Sequence, residues 1–144
     1  QLIVKKYFHL GFAVDTPQGL LVPVMRDVDK KGIFQIAAEI GDLAGLARKG
    51  RLSPSQMQGG TFTLSSLGNA GGTYFTPIIN APEVAVLALG RAAYKPAWNG
   101  NRFIPRLILP LSLSWDHRAV DGITASRFNA AVCRYLADVR RMIL

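Results

Sequence analysis

The sequence has few of the residues that metal sites and disulfide frameworks require. Its 144 residues include one cysteine, Cys133, and two histidines, His9 and His117. A single cysteine cannot form an intrachain disulfide, which fits a reducing compartment. Two histidines this far apart, with one cysteine, match no common ligand spacing. The sequence therefore predicts no metal site and no disulfide scaffold.

Long apolar runs are also missing. The longest uninterrupted one, Val84–Leu89, is far shorter than the ~20 residues that a membrane-spanning helix needs. Lys5 and Lys6 precede a strand-like stretch, so the beginning of the chain does not resemble a signal peptide. Hydrophobic residues nevertheless make up 49% of the chain. The composition therefore predicts one folded domain with a sizeable core and no membrane partner.

Acidic residues are few, and the formal net charge is +8. Such a charge is compatible with a solvated surface or with attraction to an anion, such as nucleic acid or a phosphorylated cofactor. The basic residues are scattered and are not interleaved with aromatic residues, as they are in stacking platforms for nucleic acid. We therefore expect no nucleic-acid partner, because that function would rest on charge alone.

Hydrophobic periodicity predicts an α+β protein with a mixed sheet. Helices are predicted over 32–50, 53–57 and 123–142. Strands are predicted over 7–14, 20–25, 61–65, 75–79, 84–89, 95–98, 102–104 and 107–116. Pro23 indicates an edge strand or a bulge, and Asn99-Gly100 indicates a hairpin. The glycine-rich segment 68–72 matches neither a dinucleotide fingerprint nor a phosphate-binding loop.

One histidine lies where reactive groups are often found. His117 follows the predicted strand 107–116 and precedes the last helix, with Asp116 and Asp121 close to it in sequence. Loops after strand ends present catalytic groups, and a nearby acid can fix the tautomer of an imidazole. A purely structural histidine is the alternative at this point, and it is the interpretation we favour for His9.

Several ordered segments resemble one enzyme family. Residues 116–122, Asp-His-Arg-Ala-Val-Asp-Gly, resemble the His-x-x-x-Asp-Gly signature of the dihydrolipoyl acyltransferases of 2-oxo-acid dehydrogenase complexes and of chloramphenicol acetyltransferase. Residues 59–68 are similar to the second signature of that family. Further similar segments occur in the expected order at 15–24, 27–32, 79–83 and 105–110.

The resemblance implies a fold and a place within a longer protein. It implies an α+β, chloramphenicol-acetyltransferase-like fold, in which a mixed β-sheet has flanking helices. Residues 1–144 would be the carboxy-terminal part of the acyltransferase catalytic domain. The amino-terminal part of that domain, and the lipoyl and subunit-binding domains, are expected upstream of the chain.

The resemblance also implies a mechanism. His117 would be the general base toward the thiol of coenzyme A, which is a substrate. Ser65, 52 positions earlier (117 − 65), would donate a hydrogen bond to the tetrahedral oxyanion. Asp121 would be a structural and electrostatic partner near the site; in chloramphenicol acetyltransferase the matching acid pairs with an arginine from an amino-terminal segment. In the family, the histidine and the serine of one site come from different subunits of a trimer.

The implied substrates and partners follow from the same resemblance. Segments 80–83 and 15–17 are most similar to bacterial acetyltransferases of the pyruvate dehydrogenase complex, which acts after glycolysis. The acyl donor would be an acyl-dihydrolipoyl group whose lipoyl group is carried on an upstream domain. Succinyl or branched-chain specificity is one alternative, and an assembly scaffold with an incomplete site is another.

The family resemblance further predicts a large cytoplasmic assembly in a bacterium. Trimers would join into a cubic or dodecahedral core that binds the 2-oxo-acid decarboxylase and dihydrolipoyl dehydrogenase subunits. The apolar end of the chain, Met142-Ile143-Leu144, would dock on a neighbouring trimer. The alternative for these three residues is that they fold back on their own domain.

Overall fold

A computed structural model describes residues 3–142 of the chain. The predicted docking of Ile143 and Leu144 therefore lies outside the described residues, as does the side chain of Met142. The two α-helices are α1 (Ile33–Arg48) and α2 (Gly122–Ala137). The strands are β1 (Leu10–Phe12), β2 (Val14–Thr16), β3 (Gly19–Leu21), β4 (Val24–Met25), β5 (Phe62–Ser66), β6 (Ala85–Leu89), β7 (Ala93–Trp98), β8 (Phe103–Ile108) and β9 (Leu111–Trp115). Short 3₁₀ helices occupy Val28–Lys30, Pro54–Met57, Gly68–Ala70 and Val139–Met142.

The central element is a five-stranded sheet with the order β4-β1-β5-β6-β9. β5 lies parallel to both β1 and β6, whereas β4 and β9 are antiparallel to their neighbours. β2 pairs with β3, and β7 pairs with β8, in two separate antiparallel hairpins. With α1 and α2 packed beside these strands, the prediction of an α+β fold with a mixed sheet is confirmed.

The core lies between α1 and the first strands. It comprises Phe12, Val14, Met25, Leu43, Ala44 and Ala47. The 3.6-residue periodicity of α1 places its buried residues on one face, and burial of a side chain such as Leu43 contributes about 1.5–3 kcal/mol. The fully buried residues of α1 lie in its second half, whereas at its start Ile33 is 66% exposed and Phe34 is 91% exposed.

Local signals in the sequence predicted several elements well. α1 agrees with the helix predicted over 32–50, and Ser53 precedes the short helix as expected. The predicted hairpin at Asn99-Gly100 forms, and the Asn99 side-chain oxygen accepts hydrogen bonds from the backbone N–H groups of residues 101 and 102. Buried Pro23 separates β3 from β4, which is an edge strand of the described sheet.

Several predicted elements were wrong in extent or kind; the strands predicted over 7–14 and 20–25, for example, are each divided. No strand forms over 75–79, where Ile78 is 92% exposed and is not packed against the sheet. The strand predicted over 107–116 is two strands, because the chain turns at Pro110 from the β7–β8 hairpin into the sheet. The last helix ends at Ala137, where the Asp138 carboxylate accepts hydrogen bonds from the backbone and the guanidinium group of Arg140, an alternative to continued helix.

Candidate active site

His117 lies in a turn between β9 and α2 that backbone hydrogen bonds fix at both ends. The N–H of Asp116 donates to the carbonyl of Val84 at 2.8 Å, which ties the turn to the start of β6. The Asp116 carbonyl accepts from the N–H groups of Ala119 and Val120, each at 3.0 Å. The imidazole of His117 is exposed at the tip of this turn. It is therefore presented on a rigid support and is open to a substrate.

Asp116 is not free to orient the imidazole. Its carboxylate accepts three guanidinium hydrogen bonds from Arg118, at 2.9, 3.1 and 2.7 Å. These bonds hold the pKa of Asp116 down, at about 2. The backbone N–H of Arg118 also donates to the same carboxylate, at 2.9 Å. The carboxylate of Asp116 is therefore engaged by Arg118.

Asp121 is the N-cap of α2, and the structure brings it close to His117. Its carboxylate accepts hydrogen bonds from the backbone N–H of Thr124 at 2.8 Å and from the Thr124 hydroxyl at 3.0 Å. These bonds lower the pKa of Asp121, and the nearby His117 adds a smaller effect in the same direction. A Cβ atom at Gly122 would lie 3.9 Å from Nε2 of His117. The amino-terminal end of α2 therefore passes directly beside the imidazole.

Ser65 lies at the other end of the sheet from His117. It is opposite Ala88 of β6, and Ala88 is in turn opposite Ser112 of β9. The chain then runs five residues beyond Ser112, in the opposite direction to β5, before it reaches His117. At about 3.3 Å per residue and about 4.8 Å per strand, this register separates the two residues by roughly 15–20 Å. A single copy therefore does not bring Ser65 and His117 together.

Glu83 supports the His117 turn, a role that the sequence analysis did not identify. Its carboxylate accepts a hydrogen bond from the hydroxyl of Thr63, which is buried in β5, at 2.6 Å. Burial raises the pKa of Glu83, and the bond from Thr63 opposes that shift. The carbonyl of the next residue, Val84, accepts the hydrogen bond from the N–H of Asp116 that fixes the start of the turn. The bond between Glu83 and Thr63 therefore anchors the segment to which the turn is attached. The contact joins residues 20 positions apart, and no motif predicted it.

An open cavity of about 920 Å³ adjoins the same turn. Its lining includes charged groups of both signs, among them Lys5, Glu83, Asp116 and Arg118. Neither Ser65 nor the imidazole of His117 is part of this lining. The cavity therefore flanks the candidate site but does not contain the two groups predicted to act on the substrate.

The other predictions about candidate sites concern His9, metals and membranes. His9 is buried, and its Nδ1 accepts a hydrogen bond from the backbone N–H of Asp27 at 3.0 Å, which is a structural role. Within residues 3–142, no group of three or more His, Cys, Asp or Glu side chains is placed to hold a metal ion. In the same part of the chain, neither α-helix has the length and apolar character needed to cross a membrane.

Comparison with known families and proteins places the fold and the motifs in context. The model of the family described as 2-oxoacid dehydrogenases acyltransferase (catalytic domain) matches residues 1–144. The chain is 60% identical over 143 residues to the dihydrolipoyllysine-residue acetyltransferase component of the pyruvate dehydrogenase complex of Cupriavidus necator. It is 59% identical to the component of the same name from Pseudomonas aeruginosa. In each case the match covers 99% of this chain but 26% of the relative, so the chain spans about a quarter of their length.

Two solved structures are similar over the whole chain. One is the structure of Azotobacter vinelandii dihydrolipoamide acetyltransferase, whose sequence is 57% identical to this chain and whose fold matches with a TM-score of 0.97. That structure was used to study the role of a serine, a histidine and an asparagine in the catalytic mechanism of the A. vinelandii enzyme. The other, the cubic core of the pyruvate dehydrogenase multienzyme complex, is 56% identical, also with a TM-score of 0.97. Each match covers 100% of this chain and 59% of the other. The chain therefore belongs to the 2-oxo-acid dehydrogenase acyltransferases and has the chloramphenicol-acetyltransferase-like fold of their catalytic domain.

Proposed function

We propose that the protein transfers an acetyl group from a dihydrolipoyl thioester to coenzyme A, as the carboxy-terminal part of an acyltransferase catalytic domain. One observation carries this proposal. In the A. vinelandii enzyme the serine precedes the histidine by 52 positions and the asparagine follows it by four. Ser65, His117 and Asp121 have the same spacing here. The names of the bacterial relatives support acetyl as the acyl group.

The chemistry of these groups suits a direct transfer between two thiols. A thiol is largely protonated at neutral pH, since the cysteine reference pKa is about 8.5, so attack by coenzyme A needs a base. The neutral imidazole of His117 removes the thiol proton as sulfur adds to the thioester carbonyl. The Ser65 hydroxyl donates a hydrogen bond to the resulting oxyanion. Collapse of this intermediate expels the dihydrolipoyl sulfur, which receives the proton from the imidazolium group, and no acyl-enzyme forms.

The distance between Ser65 and His117 requires two copies of the chain at each site. We propose that His117 of one copy acts with Ser65 of another, within a trimer. Trimers would assemble into a cubic core. This proposal is supported by the 56% sequence identity between this chain and the chain that forms the solved cubic core of a pyruvate dehydrogenase multienzyme complex. The 2-oxo-acid decarboxylase, the dihydrolipoyl dehydrogenase and a lipoyl group on an upstream domain remain proposed partners. The bacterial cytoplasm remains the predicted location.

The test of this function is a comparison of acyl donors. Full-length protein should transfer the acetyl group of acetyl-dihydrolipoamide to coenzyme A, with a higher kcat/KM than for succinyl- or isobutyryl-dihydrolipoamide. A preference for one of the other two donors would replace acetyl by that acyl group. Assembled protein that uses none of the three would instead support the scaffold alternative.

Asp121 differs from the asparagine at the same spacing in the A. vinelandii enzyme. Both side chains are good N-caps, because each has an oxygen that accepts from the first turn of the helix. We therefore expect Asp121→Asn to retain most of the stability and activity. Asp121→Ala should lower the free energy of unfolding through loss of the cap. Denaturant unfolding and transfer assays measure both effects.

The two variants also separate capping from charge. If Asp121→Asn loses as much activity as Asp121→Ala while its stability is unchanged, the negative charge of Asp121 is needed near His117. That result would contradict the role of Asp121 as a cap that positions the start of α2 beside the imidazole.

A further inference from the structure

The β7–β8 hairpin carries an uncovered apolar face. Residues directly opposite one another in this hairpin share a face, because side chains alternate along each strand. One face, called here the hairpin apolar face, consists of the pairs Tyr94 and Leu107, Pro96 and Pro105, and Trp98 and Phe103. All six residues are exposed. Tyr94 is 76% exposed, and Phe103 is 68% exposed.

The opposite face of the hairpin has a different character. It carries the charged pair Lys95 and Arg106, together with Ala97 and Ile104, which are half-buried. Contiguous exposed apolar surface marks interaction sites on folded proteins, and aromatic residues are enriched where two proteins meet. The hairpin apolar face bears no charged side chain. Its chemistry therefore fits an apolar protein surface rather than an anionic ligand.

The position of the hairpin indicates which protein covers it. The hairpin leaves the sheet after Leu89 and returns at Leu111, and these two residues are opposite one another. Ser65 is opposite Ala88, the residue before Leu89. The base of the hairpin and Ser65 therefore lie at the same end of the sheet. Under the proposed function, a second copy must bring its His117 to this end, so it must approach beside the hairpin.

We propose that the hairpin apolar face docks on the copy of the chain that supplies His117 to Ser65. This inference rests on the proposed function, because that function requires a second copy at the Ser65 end. The hairpin would then hold the two copies in the register that the reaction needs. A segment of the same polypeptide outside residues 1–144 is the competing occupant, since the solved relatives are longer than this chain.

Site-specific photo-crosslinking in the full-length protein distinguishes these occupants. A benzoylphenylalanine in place of Leu107 should produce a covalent dimer on a denaturing gel after irradiation of the assembled protein. The same group in place of Arg106, on the opposite face of the same strand, is the matched control and should produce little dimer. A crosslink confined to one chain, or no crosslink from position 107, would overturn the proposal.

A charge substitution gives a second, independent readout. Leu107→Glu should shift the sedimenting species from a large particle to single chains and abolish acetyl transfer, whereas Arg106→Glu should leave both unchanged. Folded Leu107→Glu that still forms active particles would contradict the proposal, and if this variant does not fold, the crosslinking result decides. The two proposals are told apart by measuring the transfer activity of the wild-type protein in parallel.

If interchain crosslinks form but the wild-type protein shows no transfer activity, the proposed function is refuted and the hairpin contact is not. If the protein is active but no interchain crosslinks form, the hairpin docking is refuted and the proposed function is not.

Discussion

His117→Ala is expected to lower acetyl transfer to coenzyme A by at least about a hundredfold, the lower range for loss of a general base. The thiol of coenzyme A then has no group at the site to accept its proton. The assembly should stay intact, because the imidazole is exposed and backbone hydrogen bonds hold the turn. Steady-state assays with acetyl-dihydrolipoamide, together with sedimentation of the full-length variant, measure both outcomes.

His9→Ala provides the contrast. His9 is buried and accepts a hydrogen bond from the backbone of Asp27, so this variant should lose stability with little direct effect on the chemistry. Near-normal turnover in assembled His117→Ala would show that another group removes the thiol proton. The mechanism proposed here would then be wrong.

Ser65→Ala is expected to reduce kcat by roughly a hundredfold or more, because one oxyanion donor is worth about 3 kcal/mol of activation energy. The Michaelis constant should change little, since the hydrogen bond is made mainly in the transition state. Kinetics over a range of acetyl-dihydrolipoamide concentrations separate the two parameters.

Ser66→Ala is the matched control for this substitution. Ser66 is the next residue of β5, and its hydroxyl oxygen accepts a hydrogen bond from the backbone N–H of Gly68 at 3.2 Å. Because successive side chains point to opposite faces of a strand, this variant should retain nearly full turnover. A large rise in the Michaelis constant of Ser65→Ala, with kcat unchanged, would show that Ser65 binds substrate instead.

Elements defined by local signals could be predicted from the sequence. The apolar stripe of α1 and the turn at Asn99-Gly100 both act over a few residues, so neighbouring sequence is sufficient to indicate them. The strand predicted over 75–79 was wrong because a strand needs a pairing partner, which residue types within the segment do not specify. Periodicity also predicted the last helix but not what covers its apolar residues, and Tyr135 and Leu136 are about half exposed.

The proximity of candidate residues could be predicted where they are close in sequence. The structure brings Asp121 close to His117, and the two are separated by four positions. Residue types and spacing do not specify side-chain geometry. They therefore could not predict the hydrogen bonds from the Arg118 guanidinium group to the Asp116 carboxylate, or the hydrogen bond from Thr63 to Glu83. The separation of Ser65 from His117 emerges only from the register of three strands, β5, β6 and β9.

The central claim, that each site combines Ser65 of one copy with His117 of another, is tested most directly by mixing two inactive variants. His117→Ala and Ser65→Ala are coexpressed in equal amounts in the full-length protein. Each site takes its serine from one copy and its histidine from a neighbour, so random assortment restores both groups at about one site in four. The mixture should therefore recover about a quarter of wild-type acetyl transfer. Activity that stays at the level of the separate variants, in particles shown to contain both chains, would contradict a site shared between copies.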